Sequence, residues 1–205
     1  NGTAVARHKG GYVPFSVEVT EHLKPRGNDL VIRINNRLGD DTVPTGRTDW
    51  WPYGGLTRDV MLVATPEQYI VNARVVLHSD RSAITAEVAT QGFVSGDKVA
   101  VVIPELDINQ TARINDRGDA RLRIPAQPQL WQPGAPKLYR VELTAGDDQI
   151  SDDIGFRTIE TSGTTIMLNG EPIKFKGIST HEEPIGRDGV AYSEADMRVL
   201  FNEAK

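Results

Sequence analysis

The sequence predicts a mostly β protein that ends in one β/α unit. Nineteen glycines and twelve prolines are spread along the chain in short clusters, and short runs of alternating apolar and polar residues lie between them, which is typical of all-β chains. Near the C-terminus the alternation changes to helical spacing after Ser193, a candidate N-cap with Asp196 three residues on. The apolar face of this predicted helix consists of Met197, Leu200, Phe201 and Ala204.

The composition is that of a globular protein with a real core. Of the 205 residues, 39% are hydrophobic and 25% are charged, so the composition does not predict wholesale disorder. The net charge is −5, and because no basic cluster occurs, nucleic acid and membrane surfaces are not expected partners. No apolar run approaches the ~18 residues that suggest a membrane span.

Cysteine is absent, which excludes disulfides, thiolate zinc sites and cysteine nucleophiles. The compartment stays open, with the periplasm or the extracellular space favoured over the cytoplasm. The chain starts at Asn1 without methionine and stops inside the predicted helix, so we expect it to be a piece of a longer protein.

The first stretch, residues 1–65, holds two predicted strands, at 30–35 and 58–63, where apolar and polar residues alternate. A long loop, 36–55, separates them, and long loops without their own secondary structure are often functional. The tryptophans of this loop either pack on their own sheet or stack on a ligand. The loop contains Asp49, Trp50 and Trp51.

The middle stretch, residues 66–159, predicts six or seven short strands separated by turns that contain glycine and aspartate. About 95 residues of this pattern suggest an immunoglobulin-like β-sandwich. We interpret this stretch as a structural spacer. The face assigned to the core in its first strand consists of Tyr69, Val71, Ala73, Val75 and Leu77.

The last stretch, residues 160–205, begins with a predicted hairpin at Asn169-Gly170, the dipeptide most typical of a two-residue turn. A short strand around Ile173 and Phe175, a polar loop at 179–189 and the helix follow. Such a β/α unit needs partners for both the strand and the helix.

Three titratable residues follow one another at the end of the last predicted strand. They are His181, Glu182 and Glu183. Two carboxylates that act on one sugar must face each other across it, whereas adjacent residues of an extended chain point to opposite sides. At most one of Glu182 and Glu183 therefore faces a pocket, and the other is solvated or ion-paired. Neither a phosphate-binding loop, a histidine pair for zinc nor a serine elbow is present, so no metal or cofactor is predicted.

Five groups of motifs, taken together and in order, resemble family 2 of the glycoside hydrolases, which includes β-galactosidases, β-glucuronidases and β-mannosidases. The resemblance covers essentially the whole chain. The motifs are HKGGYVPF at 8–15 with GNDL at 27–30, GGLTRDV at 54–60, LWQP at 130–133 with PKLY at 136–139, IGFRTI at 154–159, and LNGEPI at 168–173 followed by KGI at 176–178 and His181-Glu182.

The resemblance implies three parts: the end of a sugar-binding jelly-roll domain (1–65), an immunoglobulin-like sandwich (66–159) and the start of a catalytic (β/α)8 barrel (160–205). It also implies a retaining exo-β-glycosidase whose two catalytic glutamates lie after Lys205. The pair Asn202-Glu203 lies in the predicted helix and not at the C-terminal end of a strand, where barrel chemistry occurs. This chain is therefore expected to hold no catalytic residue.

Two substrate-binding residues follow from the resemblance. Asp49 matches an aspartate that reaches from the first domain to the sugar hydroxyls, and His181 matches a histidine at the end of the first barrel strand that binds the sugar. Ser179-Thr180 stands where many members have Asn-Arg or Asn-Lys, so contacts made by those longer side chains are not expected.

The expected partner is a carbohydrate substrate, and the longer protein is expected to be a homo-oligomer. A β-galactosidase is the first expectation, because that activity is common in the family. The alternatives are a β-glucuronidase, a β-mannosidase, or a non-catalytic carbohydrate-binding module. The C-terminal β/α unit is evidence against a binding module. Such a module has no use for a lone strand and helix, which would expose the apolar Leu200 and Phe201.

Overall fold

The computed structural model describes residues 1–43, 45, 46, 48, 50, 51, 53–183, 186 and 189–204. The chain divides into two compact units. We call residues 62–176 the sandwich unit, and residues 1–61 together with 177–205 the terminal unit. Among the described residues, no helix has the length and apolar character needed to cross a membrane.

The sandwich unit, described throughout, is built from antiparallel strands in separate sheets. One sheet has the strand order β1-β2-β5, another β4-β3-β6-β7, and a small third sheet β10-β9-β8. The strands are β1 (Tyr69–Leu77), β2 (Ala83–Gln91), β3 (Lys98–Ile103), β4 (Ile108–Arg113), β5 (Asp119–Pro125), β6 (Tyr139–Ala145), β7 (Asp148–Ile154), β8 (Ile159–Ser162), β9 (Thr165–Leu168) and β10 (Glu171–Pro172).

The core of this unit contains apolar side chains from both larger sheets in one continuous cluster. Each aliphatic or aromatic side chain that is fully buried there contributes roughly 1.5–3 kcal/mol through removal of its surface from water. The mostly β prediction is thereby confirmed, with sheets consistent with a β-sandwich. The largest fully buried side chains are Phe156, Ile84, Ile103, Ile114, Ile124, Val99, Val101 and Val141.

Strand β1 has the predicted bounds, but one residue of its predicted core face is wrong. A register shift between Ile70 and Asn72 forms a β-bulge, and Val71 is 55% exposed whereas Ile70 is buried. A bulge adds one residue to one strand and so reverses the alternation on one side of it. Val75 and Leu77, beyond the bulge, are buried as predicted.

Strands β4 and β7 are the two edges of the four-stranded sheet. Strand β7 has the sequence DQISDDI, and its register places the half-buried Asp148 and the exposed Asp152 on the same face as the buried Ala145 and Val141. Charged side chains on an edge strand oppose its pairing with another chain. Asp148 also accepts a hydrogen bond of 2.7 Å from the backbone N–H of Ile70 on β1, which links the two larger sheets.

The predicted hairpin turn at Asn169-Gly170 is confirmed. Both residues have positive φ, 54° and 85°, as a two-residue I′ turn requires, and Leu168 pairs with Glu171 across it. The Asn169 side chain donates to the Trp131 carbonyl and accepts from the Thr158 N–H, both at 3.0 Å. The side chain of Asn169 thus joins the small sheet to the segments that contain Trp131 and Thr158.

The terminal unit differs from its prediction. Of its residues 1–61, those that the structure describes include no strand, and the predicted strands at 30–35 and 58–63 are not formed. A strand exists through hydrogen bonds to a neighbour, and in the described part of the unit neither segment pairs with one. Its regular elements are a 3₁₀ turn, Thr20–His22, and the helix α1, Glu194–Glu203.

Helix α1 begins as predicted. The Ser193 side chain accepts a hydrogen bond from the Asp196 N–H, and the Asp196 carboxylate accepts from the Ser193 N–H, which forms a complete capping box. The predicted apolar face of the helix is not buried, and its Phe201 is 66% exposed.

Candidate functional site

His181 lies next to the loop that the sequence marks as functional. Its ring and that of Trp50 have centroids 5.8 Å apart and planes inclined at 55°. Both residues belong to the terminal unit. His181 is exposed, so the imidazole is accessible to a ligand while one side of it rests against the indole.

The loop around Trp50 is held by local hydrogen bonds. The Thr48 hydroxyl donates to the Trp50 carbonyl at 3.0 Å, and the Tyr53 N–H donates to the Trp51 carbonyl at 3.0 Å. Trp51 is 72% exposed, so it does not pack into a core. Asp49, the second predicted sugar-binding residue, lies outside the described residues, and its role stays a prediction.

Glu182 is ion-paired. Its Oε2 accepts a hydrogen bond of 2.8 Å from Arg58 Nη2, and both side chains are about half exposed. The sequence predicted that one of the two adjacent glutamates is solvated or ion-paired. Glu182 is the ion-paired one. Glu183 is exposed.

The backbone of Glu182 is also constrained. Its φ is +59°, a left-handed conformation that residues other than glycine, asparagine, aspartate and histidine seldom adopt. The N–H of Ala191, which is fully buried, donates to the Glu182 carbonyl at 2.6 Å. The Glu182 N–H donates to the Thr180 hydroxyl at 3.3 Å. Strained residues of this kind gather at functional sites.

A cavity of about 430 Å³ lies beside Arg58 in the same unit. This volume is within the range of small-ligand pockets, ~300–1,000 Å³. Two tyrosines and an aspartate among its lining offer aromatic faces and a carboxylate acceptor, which suit the C–H faces and hydroxyls of a sugar. The described lining residues are Tyr53, Gly54, Leu56, Thr57, Arg58, Asp59, Gly189, Val190 and Tyr192.

The acidic side chains of the described site have separate surroundings. The carboxylate of Glu182 is engaged by Arg58, and Asp59 is the acidic side chain among the described lining residues of the cavity. Glu203 belongs to helix α1. Within the described part of the chain, no three histidines or carboxylates come together as metal ligands would.

Among the residues that the structure describes, three carboxylates outside this site have lowered pKa values. The hydroxyl and backbone of Ser82 lower the pKa of Asp80 to about 2, Lys9 lowers that of Asp41, and Thr20 lowers that of Glu18. A general acid at neutral pH needs a raised pKa, so these three groups are held as anions and serve local structure.

Sequence reasoning missed Arg58 and Tyr192 as site residues. Arg58 follows the glycine pair at 54–55, directly after the long loop, so its position near the loop's end was the available signal. Tyr192 had no such signal, because it lies just before the helix cap in a stretch without periodicity.

Comparisons with known proteins agree on one family. Residues 62–157 match the family model described as glycosyl hydrolases family 2. The chain is 30% identical to a beta-glucuronidase of Paenibacillus borealis over 89% of this chain and 35% of that protein. It is 27% identical to a beta-galactosidase of Thermoanaerobacter pseudethanolicus, over 89% of this chain and 27% of that protein.

The fold agrees with that of a solved beta-glucuronidase from Bifidobacterium dentium complexed with coumarin-3-O-glucuronide. The TM-score is 0.76 at 23% identity, over 96% of this chain and 40% of that structure. At this identity the likeness concerns the fold alone. The chain spans about a quarter to a third of the length of the two curated relatives that it matches.

Proposed function

Because this chain belongs to family 2 of the glycosyl hydrolases, we propose that it is part of a longer, retaining exo-β-glycosidase that removes terminal β-linked sugars. Within that enzyme, residues 1–65 supply the end of a sugar-binding domain, 66–159 a supporting sandwich and 160–205 the start of the catalytic barrel. The substrate is a carbohydrate, and the longer protein is a homo-oligomer.

The observation that carries a substrate-binding role is the contact between Trp50 and His181. The two residues are far apart in sequence, and the fold of the terminal unit brings their rings together. An indole face stacks on the C–H face of a sugar, and an imidazole donates to or accepts from a hydroxyl. Asp49, directly before Trp50, is proposed to accept hydrogen bonds from neighbouring hydroxyls of the same sugar.

The bond-breaking groups lie outside this chain in the proposal. A retaining glycosidase uses one glutamate as acid and base and a second as nucleophile, with the carboxyl groups ~5–5.5 Å apart. The nucleophile attacks the anomeric carbon as the acid protonates the leaving oxygen, and water then hydrolyses the glycosyl-enzyme. His181, Asp49 and Trp50 hold the sugar while this happens.

We place a β-glucuronide first and a β-galactoside second as the substrate. Two relatives with 30% identity are named a putative beta-glucuronidase and a beta-glucuronidase, and this reverses the order expected from the sequence. A specific observation keeps the galactoside as the second candidate. Arg58 of the cavity is already paired with Glu182 and lies beside Asp59, so this cation is not available to a sugar carboxylate.

The test is a panel of aryl β-glucuronide, β-galactoside and β-mannoside, assayed with the longer protein. We expect turnover of one substrate at least ~10-fold above the others, as hydrogen-bonded recognition of a distinct polar group provides. A preference for the glucuronide supports the first candidate, and one for the galactoside the second. No hydrolysis of any of the three would contradict the proposal and favour a carbohydrate-binding protein.

Replacement of either sugar-binding residue should weaken the reaction. His181→Ala and Asp49→Ala in the longer enzyme are each expected to lower kcat/KM by at least ~10-fold, about 1.4 kcal/mol of transition-state binding. Steady-state kinetics on the preferred aryl glycoside measure this. His78→Ala is the matched control, because His78 lies in the sandwich unit and pairs with Asp80. Wild-type kinetics in one variant would remove that residue from the site.

A further inference from the structure

We propose that Arg58 and Glu182 are positioning residues, which act on the sugar through His181 and do not touch it themselves. This inference rests on the proposed function, because it concerns the same site. It adds two residues and a mechanism: an ion pair that holds the segment carrying the sugar-binding histidine.

The ion pair is held on the arginine side as well as on the glutamate side. Arg58 Nη2 donates to Glu182 Oε2 at 2.8 Å, and Arg58 Nη1 donates to the carbonyl of Thr57 at 3.0 Å. A guanidinium is planar and presents its donors in a fixed fork. Two contacts on different nitrogens therefore fix the plane of the guanidinium and the direction from which it meets the carboxylate.

The backbone of Glu182 is constrained together with its side chain. Glu182 has a φ of +59°, and the buried Ala191 N–H holds its carbonyl at 2.6 Å. A left-handed glutamate persists only where its surroundings impose that conformation. The side chain is held by Arg58, the carbonyl by Ala191 and the N–H by the Thr180 hydroxyl, so every polar group of the residue takes part.

His181 is oriented as a consequence. Its carbonyl and the Glu182 N–H belong to one planar peptide, so fixing φ at Glu182 fixes the plane to which His181 is attached. The imidazole then reaches Trp50, with ring centroids 5.8 Å apart. If Glu182 relaxed to an ordinary negative φ, the peptide plane would turn and carry the histidine away from the indole.

Because both side chains of the ion pair are exposed, a positioning role can be distinguished from a contribution to folding stability. Both side chains are 49% exposed, and exposed ion pairs contribute little to folding stability. A merely structural pair would therefore leave kinetics and unfolding nearly unchanged. A positioning pair leaves unfolding nearly unchanged but lowers catalytic efficiency, and only while His181 is present.

The experiment uses the longer enzyme with Arg58→Gln, Glu182→Gln and each of these combined with His181→Ala. We expect each single variant to lower kcat/KM by about 5-fold, and no further loss when it is added to His181→Ala, because residues that act through one another are not additive. Arg198→Gln is the matched control, since Arg198 forms an exposed ion pair with Glu194 at 2.5 Å in the same unit, and it should not change kcat/KM.

Hydrogen exchange of the same variants gives a readout that does not need turnover. Peptides that cover 178–192 should exchange faster in Arg58→Gln and Glu182→Gln than in the wild type, and not in Arg198→Gln. Unchanged exchange, or losses of kcat/KM that add fully to that of His181→Ala, would overturn the inference. If the wild-type protein hydrolyses no substrate, the proposed function fails, and exchange alone decides whether Arg58 and Glu182 hold this segment.

Discussion

Replacing Phe156 with alanine is expected to lower the free energy of unfolding by about 3–5 kcal/mol, the usual cost of truncating a buried aromatic residue. Phe156 is 1% exposed in the core of the sandwich unit. Its ring lies 5.6 Å from that of Tyr139, and its carbonyl accepts a hydrogen bond of 2.8 Å from the Trp131 N–H. Alanine would leave a cavity that this fixed backbone cannot close.

Urea unfolding of the chain, followed by far-ultraviolet circular dichroism, measures this change. Phe201→Ala is the matched control, because it removes the same ring from a position that is 66% exposed on helix α1. We expect the control to change the free energy of unfolding by less than about 0.5 kcal/mol. A loss below about 1 kcal/mol for Phe156→Ala would contradict the placement of this ring in the core.

The alternation of Ile154 and Phe156 at the end of the sandwich was readable in the sequence, because Ile154 ends strand β7 and Phe156 follows two residues later. The bounds of β1 and the turn at Asn169-Gly170 were readable for a similar reason. Alternation and turn chemistry are local properties. They predict a strand or a turn wherever tertiary structure does not override them.

Features that depend on how one strand pairs with another were not readable. The bulge that turns Val71 outward is a property of how β1 pairs with β2, and the polar strand β7 exists because it pairs with β6. The predicted strands at 30–35 and 58–63 show the converse. Their alternation is as good as that of β1, but no described neighbour pairs with them, and so they do not form.

The candidate site also has features that the sequence predicts and features that it does not. His181 could be selected from its position after a predicted strand and from the family resemblance. Its contact with Trp50 and the pairing of Glu182 with Arg58 join segments that are far apart in sequence, and no periodicity predicts such contacts. The positive φ of Glu182 was equally hidden, because glutamate is not a residue that favours that conformation.

This chain alone is expected to show no glycosidase turnover, which is the largest effect that we predict. Enzymes accelerate their reactions by roughly 10⁶-fold or more, and in a retaining glycosidase that acceleration depends on two carboxyl groups facing each other across one sugar. Among the described residues of the site, Glu182 is bound to Arg58, and Glu183 is its neighbour in sequence, so the two do not form such a pair. Residues that bind the sugar without an acid or a nucleophile do not cleave its bond.

The assay compares the purified chain with the longer protein on the same aryl β-glycoside, at equal molar concentration. We expect hydrolysis by the longer protein and a rate equal to that of buffer for the chain. Glu182→Gln and Glu183→Gln in the chain separate contamination from true activity, because a contaminating enzyme is unaffected by them. If the chain hydrolysed the substrate and one of these variants abolished the reaction, a catalytic carboxylate would lie at the end of the His181 segment, and our assignment of this segment to sugar binding alone would be wrong.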